Sequence, residues 1–327
     1  MNFYLGIDIG GTNTVVGIVD ETGRVVASRS ILTAADSGPS SLFDRIAAAA
    51  TRDVAPSAGV PPGSVKAIGM GVPGFVDHES GVCVGSVNLK WANVPVVAEM
   101  QRRLGVPTFI NNDVRMYVYG EAMRGAGKRY RNVMGITVGT GLAAGMVFDG
   151  AVFHGAHNLA GELGHIPLAG IPYACGCGLT GCLETVASAT GLVRIARELI
   201  EGGHASVLRE WHPGEGVPGL TAKRISDAYD LGDAVAIETL NRAGAFLGQG
   251  LAYAVTLMNP DVLVVGGGAA AAGERLLAPM RESLKGHVIK EYWDRLRIVT
   301  AELGDDAGVI GGALYAKRRV SQERSKE

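Results

Sequence analysis

The chain has 327 residues, of which 47% are hydrophobic and 19% charged, and its formal net charge is −2. The length favours two domains over a single core, and the nearly balanced charge gives no electrostatic reason to expect nucleic acid or a membrane surface as a partner. No apolar run reaches the length of a transmembrane helix, and no signal peptide is visible before the first predicted strand.

The chain begins with two strands joined by a glycine turn, and the same pattern recurs near residue 133. The predicted elements are strands 4–9 and 14–19 around the turn Gly10, Gly11, Thr12 and Asn13, and strands 133–138 and 142–148 around the turn Gly139, Thr140 and Gly141. This weak internal repeat predicts two related lobes that face one cleft.

The rest of the chain alternates between strands and helices. In chain order we expect a helix at 41–52, a link containing Pro56, Pro61 and Pro62, a strand at 65–71, a loop at 71–77, a strand at 108–110, a helix at 115–123, a helical region at 185–258 with a break near 212–219, a strand at 261–265 and a helix at 306–318. This order predicts α/β lobes. The 48 glycines cluster at strand ends, which suggests backbone close to a ligand.

Asp8 stands at the end of the first buried strand, beside a turn without large side chains. The N–H groups of such a turn can bind phosphate oxygens, and the Thr12 hydroxyl can add a bond. The alternative is an ordinary glycine hairpin. The second hairpin favours phosphate, because two such turns can hold a triphosphate from both lobes, with Mg²⁺ bridging to Asp8 through water. It is not a Walker A loop, since no Gly-Lys-Ser/Thr follows the glycines.

Asn112 and Asp113 lie at a strand-to-helix junction, where α/β folds often place binding residues. Either residue alone is more simply explained as a helix cap. In a functional interpretation, Asp113 accepts the proton of an attacking hydroxyl while Asn112 hydrogen-bonds a neighbouring hydroxyl, as phosphoryl transfer to an alcohol requires.

The segment 161–184 combines three of the four cysteines with a histidine and two glutamates. A Cys3His set of His165, Cys175, Cys177 and Cys182 suits a tetrahedral, closed, structural zinc site. Three reduced thiols in a flexible loop are the alternative. Clustered cysteines favour metal binding in a reducing cytoplasm over a disulfide framework. Carboxylates and an imidazole are good partners for vicinal hydroxyls, so Glu162, His165 and Glu184 are candidates for binding a sugar.

Several other residues carry weaker signals. Gly267 and Gly268 follow a predicted strand, as in a nucleotide-binding turn, although glycine capping of a helix explains them nearly as well. Cys83 is most simply a small buried hydrophobe. Five histidines have no partner at metal spacing and are assigned to the surface or the core: His154, His157, His204, His212 and His287.

Six motifs together resemble the ROK family of sugar kinases and related repressors, within the hexokinase and actin-like ATPase fold. They are L-G-I-D-I-G-G-T at the start, G-V-P-G at 71–74, N-N-D at 111–113, T-V-G-T-G-L-A-A-G at 137–145, the cysteine-bearing segment 161–184 and V-V-G-G-G at 264–268. The cysteine-bearing motif is highly specific, whereas the glycine turns occur throughout the wider superfamily.

The resemblance implies a two-lobed actin-like (ribonuclease H-like) α/β fold with its active site in the cleft between the lobes. The smaller lobe would comprise residues 1–120 and about 305–327, and the larger lobe residues 121–304 with the zinc. Asp113 would be the catalytic base. The sugar would be bound by Gly74, Asn112, Asp113, Glu162, His165 and Glu184, and ATP by Asp8, Gly10, Gly11, Thr12, Asn13, Thr137, Gly139, Thr140, Gly141, Gly267 and Gly268.

The implied activity is ATP-dependent phosphorylation of a hexose 6-hydroxyl, with ATP, Mg²⁺ and structural Zn²⁺, in a cytoplasmic homodimer. Segment 88–95, N-L-K-W-A-N-V-P, resembles the glucose kinases of the family and favours glucose. Allose, mannose, fructose, N-acetylglucosamine and N-acetylmannosamine are the alternatives. A non-catalytic sugar-responsive regulator is disfavoured, because D-I-G-G-T begins at residue 8 with no helix-turn-helix before it. Asn111 and Asn13 depart from the family's usual glutamate and lysine.

Overall fold

The protein is described by a computed structural model over residues 2–61, 63–211 and 219–325. Its strands are β1 Phe3–Ile9, β2 Asn13–Asp20, β3 Val25–Leu32, β4 Val65–Val72, β5 Phe75–Asp77, β6 Val82–Ser86, β7 Trp91–Val94, β8 Thr108–Asn112, β9 Asn132–Val138, β10 Leu142–Phe148, β11 Ala151–Val152, β12 Val262–Gly266 and β13 Arg297–Thr300.

The described helices come after β3, β7, β8, β11, β12 and β13. They are α1 Gly38–Ala48, α2 Ala55–Ser57, α3 Val96–Leu104, α4 Asp113–Met123, α5 Glu184–Ala187, α6 Ala189–Glu201, α7 Val207–Glu210, α8 Ala222–Asp230, α9 Ala234–Met258, α10 Glu274–His287, α11 Lys290–Trp293 and α12 Ala307–Arg324. Within the described ranges no helix is both long and apolar enough to cross a membrane. Pro62 and residues 212–218, which include His212 and most of the break predicted near 212–219, lie outside the described residues.

One compact unit comprises Met1–Val133, Gly145–Ala160 and Ala301–Glu327. Its five-stranded sheet has the order β3-β2-β1-β4-β8, in which β1 to β3 are antiparallel neighbours and β4 and β8 are parallel to β1. Because β1, β4 and β8 run in the same direction, their carboxyl ends meet at one edge of the sheet. A three-stranded antiparallel sheet, β5-β6-β7, belongs to the same unit.

Helix α12 packs closely on this sheet because glycines remove the side chains between them. A Cβ atom on Gly6 would overlap the carbonyl oxygen of Val309, and a Cβ on Gly69 would overlap that of Gly312. Both sheet glycines lie inside strands rather than at strand ends. Part of the high glycine content therefore serves backbone-to-backbone packing of α12 rather than approach to a ligand.

The second compact unit comprises Met134–Ala144 and Gly161–Thr300. The second five-stranded sheet has the order β11-β10-β9-β12-β13, which reproduces the order of the first: third, second, first, fourth and fifth strand. This correspondence confirms the internal repeat predicted from the two glycine hairpins. The lobe boundaries expected near residues 120 and 305 stay a prediction.

Candidate active site

Two aspartates meet at the carboxyl edge of the first sheet. Asp8 lies near the end of β1, Gly71 lies opposite it on β4, and Asp113 begins α4 directly after β8. A Cβ atom on Gly71 would lie 3.1 Å from Cα of Asp113 and 3.3 Å from Oδ1 of Asp8. The glycine thus lets the two carboxylate-bearing residues lie close together on either side of it.

This crowding changes the acidity of Asp8. Burial, followed by the charges of Asp113 and Asp305, raises the pKa of its carboxyl from 3.8 to about 7. Like charges in a poorly solvated place disfavour ionisation of each other. A divalent cation would relieve this repulsion, so the carboxylates present fit the Mg²⁺ implied by the sequence.

The turn after β1 is held by hydrogen bonds while its tip stays open. Gly10 donates its N–H to the carbonyl of Asn13 at 2.9 Å. Thr33 donates its hydroxyl to the carbonyl of Gly10 at 2.7 Å and its N–H to that of Thr12 at 2.8 Å. Gly11, Thr12 and Asn13 are exposed. A fixed turn of exposed residues is suited to binding an anion through backbone N–H groups.

Asn112 caps α4 and also contacts the loop after β4. Its Oδ1 accepts from the N–H of Arg115 at 3.2 Å, and its Nδ2 donates to the carbonyl of Gly74 at 3.2 Å. Gly74 has φ 101°, and a Cβ there would overlap the carbonyl of Gly85. The capping bond fixes Asn112 at the start of α4 beside Asp113, and its Nδ2 bond holds Gly74 next to them, so these three predicted sugar residues lie together.

The second unit contains the corresponding hairpin after β9. Gly139 donates its N–H to the carbonyl of Gly141 at 2.9 Å, and its own carbonyl accepts from the N–H of Ala189 at 2.8 Å. The hydroxyl of Thr190 donates to the carbonyl of Thr140 at 3.0 Å. Two contacts from the start of α6 therefore hold this three-residue turn.

The glycine pair after β12 lies beside the end of β9, where Thr137 is half-buried. Gly267 has φ 89°, and a Cβ on it would lie 2.6 Å from the backbone nitrogen of Val138. Gly268, by contrast, has no described atom within 4 Å of where its Cβ would be. Of these two residues, only Gly267 must be glycine to avoid a clash with other described protein atoms.

The four predicted metal ligands converge in the second unit. The ligand atoms of His165, Cys175, Cys177 and Cys182 all lie within 4.8 Å of one another. Nδ1 of His165 is 3.6 Å from Sγ of Cys175, and the Sγ atoms of Cys177 and Cys182 are 3.5 Å apart. Three thiols and an imidazole nitrogen at these distances match the donor set of a closed zinc site.

Two glutamates lie beside this cluster. Nε2 of His165 is 3.9 Å from Oε2 of Glu162, while Glu184 Oε1 accepts from Sγ of Cys175 at 3.1 Å and its Oε2 lies 3.5 Å from the N–H of Leu142. Because Nδ1 of His165 faces the thiols, its Nε2 is left on the side of Glu162. The predicted sugar residues of this unit are thus adjacent to the predicted metal ligands.

The thiols of the cluster differ in acidity. Burial raises the pKa of Cys175 to about 12 and raises that of Cys182, whereas the N–H of Leu179 lowers that of Cys177. Thiolates, not thiols, bind metal ions. A metal that binds here must displace protons from the thiols of Cys175 and Cys182, which makes its affinity dependent on pH.

Comparison with known proteins decides the family. The model of the ROK family matches residues 4–319. The chain belongs to the ROK family. It is 35% identical to a glucokinase of Halalkalibacterium halodurans over 99% of this chain and 97% of that protein.

Solved structures of the family show the same fold. A ROK family glucokinase from Streptomyces griseus, in complex with glucose and AMPPNP, has a TM-score of 0.80 and 33% identity over 97% of this chain and 100% of that one. A ROK hexokinase from Thermus thermophilus has a TM-score of 0.80 and 30% identity over 98% of this chain and 99% of that one. The α/β fold of the actin-like ATPases expected from the sequence is therefore confirmed.

Some residues of segment 88–95, which favoured glucose, pack in the core of this ROK protein. Trp91 is buried, and its ring meets Phe43 of α1 edge-on, with the centroids 5.4 Å apart. Leu89 is also buried, whereas Asn88 and Asn93 are exposed. The aromatic and aliphatic positions of the motif therefore pack in the core, and its asparagines remain available to a ligand.

The histidines outside the metal cluster fall into two groups. His157, His204 and His287 are exposed, as expected, and Cys83 is buried, as expected. His154 is half-buried, and its Nε2 lies 2.9 Å from Nδ2 of Asn111. Nothing in the spacing of the two residues, 43 apart, signals this contact in the sequence.

Proposed function

We propose that this ROK protein transfers the γ-phosphoryl group of ATP to the 6-hydroxyl of glucose. The observation that supports this most directly is Asp113 at the carboxyl edge of the first sheet, beside Asp8 and across Gly71 from it. Relatives named glucokinase that match nearly end to end, and the similar structure with glucose and AMPPNP, support the same substrates.

In the proposed reaction, Asp113 accepts the proton of the sugar O6 hydroxyl as that oxygen attacks the γ-phosphorus. Asn112 and the backbone at Gly74 bind neighbouring hydroxyls. The turns Gly10–Asn13 and Gly139–Gly141 bind the phosphates of ATP. Mg²⁺ bound with ATP would neutralise developing charge on the phosphates, and Asp8 would hold it through water.

Glu162, His165 and Glu184 would also bind sugar hydroxyls. His165 would ligate Zn²⁺ through Nδ1, with Cys175, Cys177 and Cys182, and would offer Nε2 to a sugar hydroxyl. The zinc would supply rigidity rather than chemistry, because four protein ligands leave it no open position.

The experiment that tests the function is ADP release by the purified protein with a panel of sugars. Glucose is expected to give the highest kcat/KM, with glucose 6-phosphate identified as the product by ³¹P NMR. Mannose, allose, fructose, N-acetylglucosamine and N-acetylmannosamine are the competing substrates. A higher kcat/KM with any of them would reassign the sugar, and no ADP release with any sugar would contradict the kinase and favour a sugar-responsive regulator.

A further inference from the structure

A group of buried and half-buried polar side chains lies beside the β8–α4 junction and is not used by the proposed reaction. The rings of His78 and His154 stack in parallel, with centroids 3.9 Å apart and planes 6° from each other. His154 also contacts Asn111, which is 1% exposed and directly precedes Asn112. Polar groups are costly to bury unless each hydrogen bond is made, so this arrangement requires an explanation.

The hydrogen bonds fix the roles of the atoms involved. Oδ1 of Asn111 accepts from the backbone N–H of Asn112 at 2.9 Å. The amide Nδ2 of Asn111 therefore faces Nε2 of His154, at 2.9 Å. Since an amide NH₂ only donates, Nε2 of His154 must accept. The imidazole is then neutral, with its proton on Nδ1.

We propose that His154 is a positioning residue for phosphoryl transfer, a role that rests on the function proposed above. Its ring holds the amide of Asn111 in one orientation, and Asn111 in turn holds the N–H of Asn112. The backbone on which Asn112 and Asp113 stand is thereby fixed. Protonation or removal of the ring would leave Nδ2 of Asn111 facing a donor or an apolar group, and the amide would rotate away from Asn112.

The surroundings keep the ring of His154 neutral. The charged groups that face the stacked pair are Arg115 of α4, Arg319 of α12, and Asp77 and Glu79 on either side of His78. Burial, followed by the charges of His78, Arg115 and Arg319, lowers the pKa of His154 to about 3. Burial also lowers the pKa of His78. The acceptor is therefore present throughout the physiological pH range.

The loop that carries His154 is itself anchored to α4. The guanidinium of Arg115, a buried residue, donates to the carbonyls of Asn158 at 2.7 Å and Ala160 at 2.8 Å. Nδ2 of Asn158 donates to Oδ1 of Asp77 at 3.4 Å. The loop that carries His154 is held by Arg115 of α4, and Asn111 directly precedes Asn112. The His154–Asn111 hydrogen bond can therefore fix the position of the β8–α4 junction.

The first test measures the tautomer in the unmodified protein. A long-range ¹H–¹⁵N NMR spectrum of histidine-labelled protein at pH 7, assigned with His154→Gln, is expected to show His154 neutral and protonated on Nδ1. This readout does not depend on any activity. A signal from the Nε2–H tautomer, or from a charged ring at pH 7, would overturn the proposal.

The second test compares three variants in glucose phosphorylation. His154→Leu is expected to lower kcat by about tenfold or more, because a small displacement of reacting groups is costly. Its KM for ATP is expected to change by less than about twofold. His154→Gln is expected to restore kcat to within about threefold of the unmodified protein, because its Oε1 can take the place of Nε2 as acceptor. His157→Leu, an exposed position in the same loop, is the matched control and is expected to have no effect.

Two outcomes would contradict the positioning role. One is an unchanged kcat in His154→Leu, and the other is a His154→Gln variant as impaired as His154→Leu, which would indicate packing alone. If the unmodified protein phosphorylates no sugar, the proposed function fails, while the tautomer measurement still decides whether the His154–Asn111 contact exists as described.

Discussion

Gly308, in the first turn of α12, lies directly against the carboxylate of Asp8, so that a Cβ atom at this position would overlap Cγ and Oδ2 of the aspartate. The N-terminal end of a long helix therefore abuts the acid that is proposed to face magnesium. Backbone N–H groups at a helix N-terminus favour an anionic neighbour. The close approach makes the position of Asp8 dependent on the absence of a side chain at residue 308.

Gly308→Ala is expected to displace Asp8 and to lower kcat/KM for Mg·ATP by about tenfold or more, because the phosphate-binding edge loses its geometry. The strain should also lower the free energy of unfolding by about 1–3 kcal/mol. Steady-state kinetics with varied Mg·ATP and denaturant titration measure the two effects. Gly286→Ala in α10, where no described atom lies within 4 Å of the new Cβ, is the control and should lower neither. An unchanged kcat/KM for Mg·ATP in Gly308→Ala would show that activity does not depend on the contact between Gly308 and Asp8.

The acidity of Asp8 predicts a pH-dependent stability. Because its pKa is raised from 3.8 to about 7, the folded protein binds this proton more tightly than the unfolded chain does. The associated stability is fully present below pH 3.8 and is lost as the pH rises through about 7. Asp8→Asn, which cannot ionise, should lack this loss, which amounts to about 2–3 kcal/mol between pH 5 and pH 8. Urea unfolding of both proteins at the two pH values tests this, and parallel pH dependence in the two would refute the assignment.

The Cys3His cluster predicts one zinc ion per chain. Cys177→Ala is expected to lose the metal, to lower the melting temperature and to raise the KM for glucose by about tenfold, because His165 and Glu184 lose their support. The KM for ATP should change by less than about twofold. Elemental analysis and kinetics measure these effects. Cys83→Ala, a buried cysteine outside the cluster, is the control and should keep its zinc. Loss of ATP binding with glucose affinity intact would contradict the account.

Acidification should release the zinc steeply. Because the thiols of Cys175 and Cys182 have raised pKa values, zinc binding must displace a proton from each. The apparent zinc affinity should therefore fall by at least about two decades per unit decrease in pH near neutrality. A competition titration against a chromophoric chelator at pH 6.5 and 7.5 measures this slope.

Adjacent glycines after β12 offer a matched pair. Gly267→Ala is expected to destabilise the protein, because φ is 89° and the new Cβ would meet Val138. Gly268→Ala meets no described protein atom within 4 Å and should leave the melting temperature unchanged. A raised KM for ATP in Gly268→Ala would then show that the new methyl group meets bound ATP rather than the protein. An unchanged KM for ATP in that variant would remove Gly268 from the proposed ATP contacts.

The local elements of the fold were largely predictable because their signals are local. Glycine hairpins bounded by apolar strands predicted β1, β2, β9 and β10, and Asn112 was among the predicted caps of α4. Strand β3 was missed because it is an edge strand whose residues are half-buried or exposed, so that no alternating apolar pattern marks it. The three-stranded sheet was missed because its strands are short and fall within a loop-like, glycine-containing segment.

In the candidate site, too, local features were predictable from the sequence and long-range contacts were not. The Cys3His cluster has an ordered spacing within one short segment, so the sequence indicated it directly. The contacts of Asn111 with His154 and of Gly308 with Asp8 join residues far apart in the chain. Such contacts depend on which strand ends and helix ends the topology brings together, and no pattern of neighbouring residues encodes them.

The central claim is that Asp113 is the base that deprotonates the sugar hydroxyl. The most direct test is the kcat for glucose phosphorylation by Asp113→Asn, measured together with the Kd for glucose from calorimetry. The substitution keeps the shape of the side chain while removing the proton acceptor, so kcat is expected to fall by about 10³-fold with measurable glucose binding retained. A variant that binds glucose and keeps kcat within about tenfold of the unmodified protein would contradict the account.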